Sequence, residues 1–379
     1  MISVLSLGLH KLRSNYSLKI LQIVPTLPPK ISGVGDYAYL LARQLRADHG
    51  INSRFLVCDP QWKGEWVLDG FEIHKLEARQ RDDLVASLSM EGMPRMALLH
   101  YVGYGYEKRG CPFWLAQGLE AWKSRAANRR LVVMFHELYA FGPPWRSSFW
   151  ASPSQRCIAT HLANLADCCA TNLRRYADWL GTKAGSHLNR VCTIPVFSTV
   201  GELAATRPLN SRAPNMILFG GAKWVKELLG KYRNETLSCC RALGIEQIVT
   251  VGSSAGTAPV GLPIPVTERG FMHADQVAEI IQSSRIGMMN YFSGYLAKST
   301  VFAAYSALGA LPILPRFNPS GRDGCTEGKT YLLSKEITAG VSNDTLQEVA
   351  DDAWKWYQTH NLSRTARSYA ELLMDCSTL

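Results

Sequence analysis

The sequence predicts an α/β protein of two domains, each built on a parallel sheet. Three observations predict it. Strand and helix signals alternate through most of the chain, the pattern of successive βαβ units. The 379 residues exceed what one hydrophobic core usually serves. A stretch at 198–215, dominated by Ser, Thr, Arg, Pro and Asn, separates one alternating series from a second and reads as a linker.

Residues 19–24, Lys-Ile-Leu-Gln-Ile-Val, are mostly apolar and read as a buried strand. A Pro/Gly-rich loop at 25–35 leads into an amphipathic helix over 36–48. Strands are predicted at 52–58, 71–76, 96–100 and 131–135, helices at 114–128 and 154–166, and strands at 168–171 and 191–194. The second series has a strand at 216–219, a helix at 225–243 and strands at 247–251 and 267–271. A helix at 273–284 and a strand at 286–290 follow. Segment 293–314 then runs from a polar, Gly-containing turn into an apolar helix ending at Gly309, with a short buried strand at 311–314. One or two helices cover 343–374, starting near Ser342-Asn343-Asp344. The expected division is an N-terminal extension at 1–17, a Rossmann-like domain at 18–205, a second at 206–345 and terminal helices at 346–379.

Hydrophobic residues make up 47% and charged residues 19%, ordinary values for a globular chain. The formal net charge of +10 points to anionic partners. The basic residues are scattered, without a run of five, which argues against nucleic acid. Ten cysteines show no zinc spacing, and most lie in apolar stretches, so free thiols in a reducing cytoplasm are expected. No apolar segment reaches the length that spans a bilayer. Residues 1–9 are apolar, but Lys11 and Arg13 follow rather than precede them, the wrong order for a signal peptide.

Five places can carry chemistry. The start of the helix in 293–314 offers free backbone N–H groups and a positive dipole end, with Lys298 and Ser299 adding a charge and a hydroxyl; it reads as a seat for a phosphate. The loop before the helix at 36–48 carries Gly33 and Gly35, which let a ligand approach the backbone; an ordinary βα turn would look the same. It matches neither the dinucleotide fingerprint nor the Walker loop. His136 ends a buried strand, where α/β proteins place ligand contacts, although by itself a histidine there is more often a satisfied residue of a strand-end turn. Lys223 and Lys226 follow the first strand of the second series and would reach a diphosphate, or be solvated. His100, Tyr101 and Tyr104 end another strand, and Glu137 stands beside His136.

Taken in order, these segments resemble the retaining glycosyltransferases of the two-domain GT-B fold, the large group 1 or family 4 type that contains sucrose synthases and bacterial mannosyl- and glucosyltransferases. Residues 19–35 are similar to that family's opening strand and Gly-Gly-Val-Gly-type loop. Val132-Val-Met-Phe-His136 is similar to its strand ending in a functional histidine, and Ile194-Pro195-Val196 to its Ile-Pro-Asn turn. Residues 216–226 resemble its second-domain opening. The family carries two glutamates around its last phosphate-binding helix. Aligning Gly309-Ala-Leu-Pro312 on the family's Gly-Leu-Pro places Leu296 and Ala304 there, and Gly221 stands where an arginine is usual. The resemblance implies a GT-B fold with a central cleft and transfer of a sugar from a nucleotide-sugar to a hydroxyl of a glycan or lipid-linked acceptor. It implies His136 as the catalytic residue. Gly33, Gly35, Gly221, Lys226, Tyr295, Lys298 and Ser299 would hold the donor and its diphosphate, and Tyr101, Tyr104 and Glu137 would lie on the acceptor side. No metal and no cofactor beyond the nucleotide-sugar substrate are expected, and no nucleic acid. The setting expected is cell-envelope or polysaccharide synthesis in the cytoplasm, with peripheral contact at the inner face of the membrane. The alternative is an inactive GT-B-like sugar- or nucleotide-binding partner protein.

Overall fold

The computed structural model describes residues 18–184, 191–252, 256, 258–259, 261–316, 323–338 and 340–378. The extension expected at 1–17 lies outside them. The described chain divides into two compact units. One comprises residues 18–169 with the chain end from Ala366, and the other residues 170–184 with Val191–Thr365. The stretch at 198–215 falls within the second unit.

The first sheet is built from β1 (Lys19–Val24), β2 (Asn52–Val57), β3 (Val67–Leu68), β4 (Phe71–Lys75), β5 (Met96–Tyr101), β6 (Arg130–Phe135), β7 (Cys168–Thr171) and β8 (Val191–Thr193). Its order is β3-β4-β2-β1-β5-β6-β7-β8. β1 pairs in parallel with β2 and β5, β2 with β4, and β5 with β6, while the short β3 runs antiparallel to β4. β5 is buried along its whole length, as expected of a central strand covered on both faces. The helices interleaved with these strands are α1 (Gly33–His49), α2 (Arg81–Leu88), α3 (Gly103–Tyr106), α4 (Phe113–Ser124), α5 (Ser147–Leu165) and α6 (Arg174–Lys183). Ser32 caps α1, its hydroxyl accepting from the Gly35 N–H, and Gly50 closes it at φ 65°.

The second sheet contains β9 (Ala213–Phe219), β10 (Gln247–Val251), β11 (Val266–Glu268), β12 (Ser284–Met288), β13 (Leu311–Leu314) and β14 (Leu332–Leu333). Its order is β11-β10-β9-β12-β13-β14, with every pair parallel. Its helices are α7 (Ala222–Leu229), α8 (Arg233–Ala242), α9 (Ala274–Ser283), α10 (Thr300–Leu308) and α11 (Asn343–Gln358), and α12 (Leu362–Ser377) ends the chain. α10 is apolar on all sides and accordingly buried from Phe302 to Leu308.

Three expectations are corrected. The single helix predicted at 225–243 is two, because Gly230 leaves helical geometry at φ −109°, ψ −81° between α7 and α8. The helix predicted from 154 begins at Ser147 and runs through Pro153, which forgoes one intrahelical hydrogen bond. The cysteines are not all free: Cys168 and Cys376, both buried, pair as a disulfide with Cα atoms 6.6 Å apart. Among the described residues no helix is long and apolar enough to cross a membrane.

Candidate functional site

In the first unit, three polar side chains line up on one sheet face. Register pairs Gln22 with Leu98 and His100 with Met134. Side chains two positions apart share a face, so Gln22, His100 and His136 form a staggered row across β1, β5 and the end of β6. Gln22 Nε2 donates to Ser53 Oγ at 2.8 Å. His100 Nε2 donates to Gln22 Oε1 at 2.8 Å, since an amide oxygen only accepts. Burial holds the His100 imidazole down at about 3, so it is neutral and its Nδ1 carries a lone pair. That lone pair accepts from His136 Nε2 at 3.2 Å. The row therefore sets the His136 tautomer: its proton sits on Nε2. The two imidazoles stack at 5.5 Å, and Tyr37 meets His136 edge-on at 5.0 Å.

Glu137 and Tyr104 come together with Gly103, Gly110 and Gln155 around a cavity of about 10 Å³, room for roughly one water. Tyr101 is elsewhere: it is fully buried, edge-on to Phe135 at 5.5 Å, with a hydroxyl that has no hydrogen-bond partner among the described residues. Gly33 is open on its side-chain face, whereas a Cβ on Gly35 would lie 2.5 Å from the Thr26 carbonyl oxygen. Gly35 thus lets the start of α1 pack against the loop after β1. Lys30 in that loop is tied to Asp59 at 2.7 Å.

The second unit gathers its candidates around the start of α10. Residues 293–298 form a 3-10 turn, and Ser299 caps the helix by accepting from the Phe302 N–H at 3.2 Å. Such a cap is worth about 1 kcal/mol. Gly220 reaches this helix start, a Cβ there lying 3.8 Å from Val301 Cγ2, and Gly221 caps α7 with open space on its side-chain face. Lys298 Nζ lies 5.7 Å from the Tyr176 ring centre and 5.9 Å from that of Tyr295. The Arg175 guanidinium stands 3.9 Å over Tyr295, and Arg316 lies 5.3 Å over Phe292. Lys226 is exposed in the last turn of α7, and its neighbour Glu227 accepts from Asn290 Nδ2 at 2.6 Å. Leu296 and Ala304, aligned with the family's glutamates, are both buried.

The structure thus joins Tyr295, Lys298, Ser299 and Gly221 in one place, and His136 in another with Glu137 beside it. Gln22, Arg175, Tyr176 and Arg316 were not foreseen as site residues. Their only sequence signal is position, at or near the C-terminal end of a strand or the first turn of a helix.

The buried histidines set a pH dependence. His100 and His360 are both held at about 3 by burial, below the ordinary 6.5. A depressed histidine stabilises the fold fully above about pH 6.5, and that contribution is lost on acidification toward pH 3. Asp36, pushed up to about 6 by burial, has the opposite sign: its contribution is present below pH 3.8 and lost as pH rises through 6. In the first unit the two slopes oppose each other between about pH 4 and 6, whereas His360 lowers stability by about 1.4 kcal/mol per pH unit below 6.5. NMR titration is expected to leave the His100 and His360 ring resonances unmoved from about pH 8 to 5, the window in which an unperturbed imidazole titrates. A midpoint near 6.5 for either would contradict the burial argument.

No protein-family model and no curated protein matches the chain. Solved structures do. A trehalose-6-phosphate synthase from Burkholderia multivorans superposes with a TM-score of 0.62 at 10% identity, covering 96% of this chain and 98% of that one. The GtfA/B complex gives 0.62 at 11% identity, over 95% and 100%. An α-glucosyltransferase solved in complex with UDP gives 0.57 at 8% identity, over 94% and 99%. The fold of this chain is GT-B-like, α/β with Rossmann-like layers on parallel sheets.

Proposed function

We propose that the chain is a glycosyltransferase that moves a sugar from a nucleotide-sugar to a hydroxyl acceptor, either a glycan or a lipid-linked one. The observation that carries this reading is the cationic, aromatic-backed start of α10, with Lys298, Ser299, Arg175 and Gly221 in one cluster. Such a cluster suits a diphosphate: the helix dipole and free N–H groups supply fixed positive potential, and the side chains supply mobile charge. In the reaction the bond from the anomeric carbon to the diphosphate breaks, and the nucleoside diphosphate leaves with its electron pair. The acceptor oxygen bonds to that carbon and gives up its proton. Charge developing on the leaving diphosphate is what Lys298, Arg175 and the helix start would stabilise, so neither a metal nor a cofactor is invoked. His136 belongs with the sugar, and Glu137 and Tyr104 with the acceptor. Retention of configuration, a cytoplasmic setting and polysaccharide or cell-envelope glycan synthesis complete the reading, with nucleic acid left out because the basic residues are scattered.

A second reading, a GT-B-like binder without turnover, is favoured by one observation. Leu296 and Ala304 are buried, so neither position presents a carboxylate to donor hydroxyls. Calorimetric titration with a panel of nucleotide-sugars, paired with a turnover assay, separates the two. Lys298→Ala is expected to weaken donor binding by about 10- to 100-fold, the worth of one charge-assisted hydrogen bond. Unchanged affinity in that variant would sink the assignment of the diphosphate to α10. Donor binding without transfer or hydrolysis would establish the second reading, and absence of any nucleotide binding would overturn both.

A further inference from the structure

The segment between β6 and the middle of α5 carries exposed aromatic rings to which the proposed transfer assigns no role. Trp145 is 83% exposed and Trp150 72%, with Phe141 and Phe149 also exposed beside them. The rings of Phe149 and Trp150 are held in place. Trp150 Nε1 donates to the Pro144 carbonyl at 2.8 Å, and the rings of Phe149 and Trp150 meet edge-on at 5.3 Å. Phe141, Phe149 and Trp150 border a cavity of about 550 Å³ whose wall also includes Pro153 and Arg156.

The charge around this patch has one sign over a long stretch. No aspartate or glutamate occurs from Leu138 to Ala166, while Arg146 and Arg156 are both exposed. The exposed Lys108 and Arg109 join them: the Arg109 carbonyl accepts from Gln155 Nε2 at 3.0 Å, and Cys111 Sγ lies 3.9 Å from the Ala151 carbonyl. The acid nearest in sequence to this pair is Glu107, whose carboxylate accepts from the Lys108 backbone N–H at 3.0 Å.

We propose that this face, the 141–150 loop with the first turns of α5, docks on an anionic lipid surface. Tryptophans with an apolar body and a polar N–H partition to the headgroup boundary, and nearby arginines and lysines add attraction to anionic lipids. The alternatives fit less well. A second copy in a two-fold contact would set these cations against their own equivalents. A sugar would use the ring faces but would not need four cations.

Co-sedimentation with vesicles tests the proposal and does not depend on transfer activity, so its outcome is separate from that of the glycosyltransferase reading. The full chain is expected to bind phosphatidylcholine vesicles containing about 30% phosphatidylglycerol roughly a hundredfold more tightly than pure phosphatidylcholine. Raising salt to about 0.5 M is expected to weaken that binding. The double variant Trp145→Ala, Trp150→Ala should lose most of it with little change in thermal unfolding, since both rings are largely exposed; Arg146→Gln with Arg156→Gln should lose the preference for anionic lipid. Failure of the chain to bind anionic vesicles would overturn the proposal, as would equal binding by the tryptophan variant. A concentration-dependent dimer that the same variant dissolves, with no vesicle binding, would assign the face to self-association instead.

Discussion

Replacing His136 with alanine is expected to lower kcat/KM for sugar transfer by about a hundredfold, the usual cost of removing one polar group from a reacting centre. The residue stands at the end of β6, where a parallel sheet delivers its side chains to a ligand. The row Ser53–Gln22–His100 behind it fixes which nitrogen holds the proton. The alanine variant also leaves the lone pair of buried His100 Nδ1 without a donor, which costs about 1–3 kcal/mol of stability. His136→Gln separates the two effects. An amide N–H at similar reach restores the bond to His100 and hence stability, but not the ring chemistry. Full activity in both variants would remove His136 from the transfer machinery.

Gly309→Ala is expected to destabilise the second unit by about 3 kcal/mol, from a strained cap plus disrupted hydrogen bonds to an arginine. Gly309 ends α10 at φ 71°, in the left-handed region where alanine is strained. An added Cβ would also lie 2.5 Å from Thr206 Cγ2 and 2.6 Å from Arg212 Nη2. Arg212 cannot give way cheaply. It is buried and lowered to about 10 by desolvation, and it donates to the Arg207 carbonyl at 3.0 Å and the Leu308 carbonyl at 3.1 Å. Its guanidinium therefore satisfies the carbonyl at the end of α10 that the helix itself leaves unpaired. Denaturant titration of Gly309→Ala, Arg212→Ala and the double variant is the check. Because the first change displaces the second side chain, the double variant should cost less than the sum. Strict additivity would show that the cap strain alone explains the loss.

Much of the fold was legible along the chain. β1, β7, β10 and β13 occupy the runs 19–24, 168–171, 247–251 and 311–314 where they were predicted, because a short apolar run between turn residues has few other fates. The start and end of α10 were legible for a related reason: Ser299 and Gly309 are local cap chemistry. The break at Gly230 was not, since apolar spacing continues across it and only backbone geometry separates α7 from α8. Of the candidate site, Lys298 and Ser299 could be singled out because both lie at a helix start, and Gly221 because the family resemblance places it where an arginine is usual. Tyr101 could not be placed, since strand alternation does not say which face is covered, and its ring went into the core.

The sequence by itself determined the alternation of strands and helices, the caps of α10, the placement of His136 at a strand end and the missing carboxylates at Leu296 and Ala304. All of these rest on neighbours a few residues apart. Tertiary structure alone decided what joins them. Arg175 and Tyr176 reach Tyr295 and Lys298 across more than a hundred residues, Cys168 meets Cys376, and the His136 tautomer is set by Gln22 and His100 on other strands. Each of these contacts depends on strand order and register, which the burial of whole sheets selects and which no local pattern records.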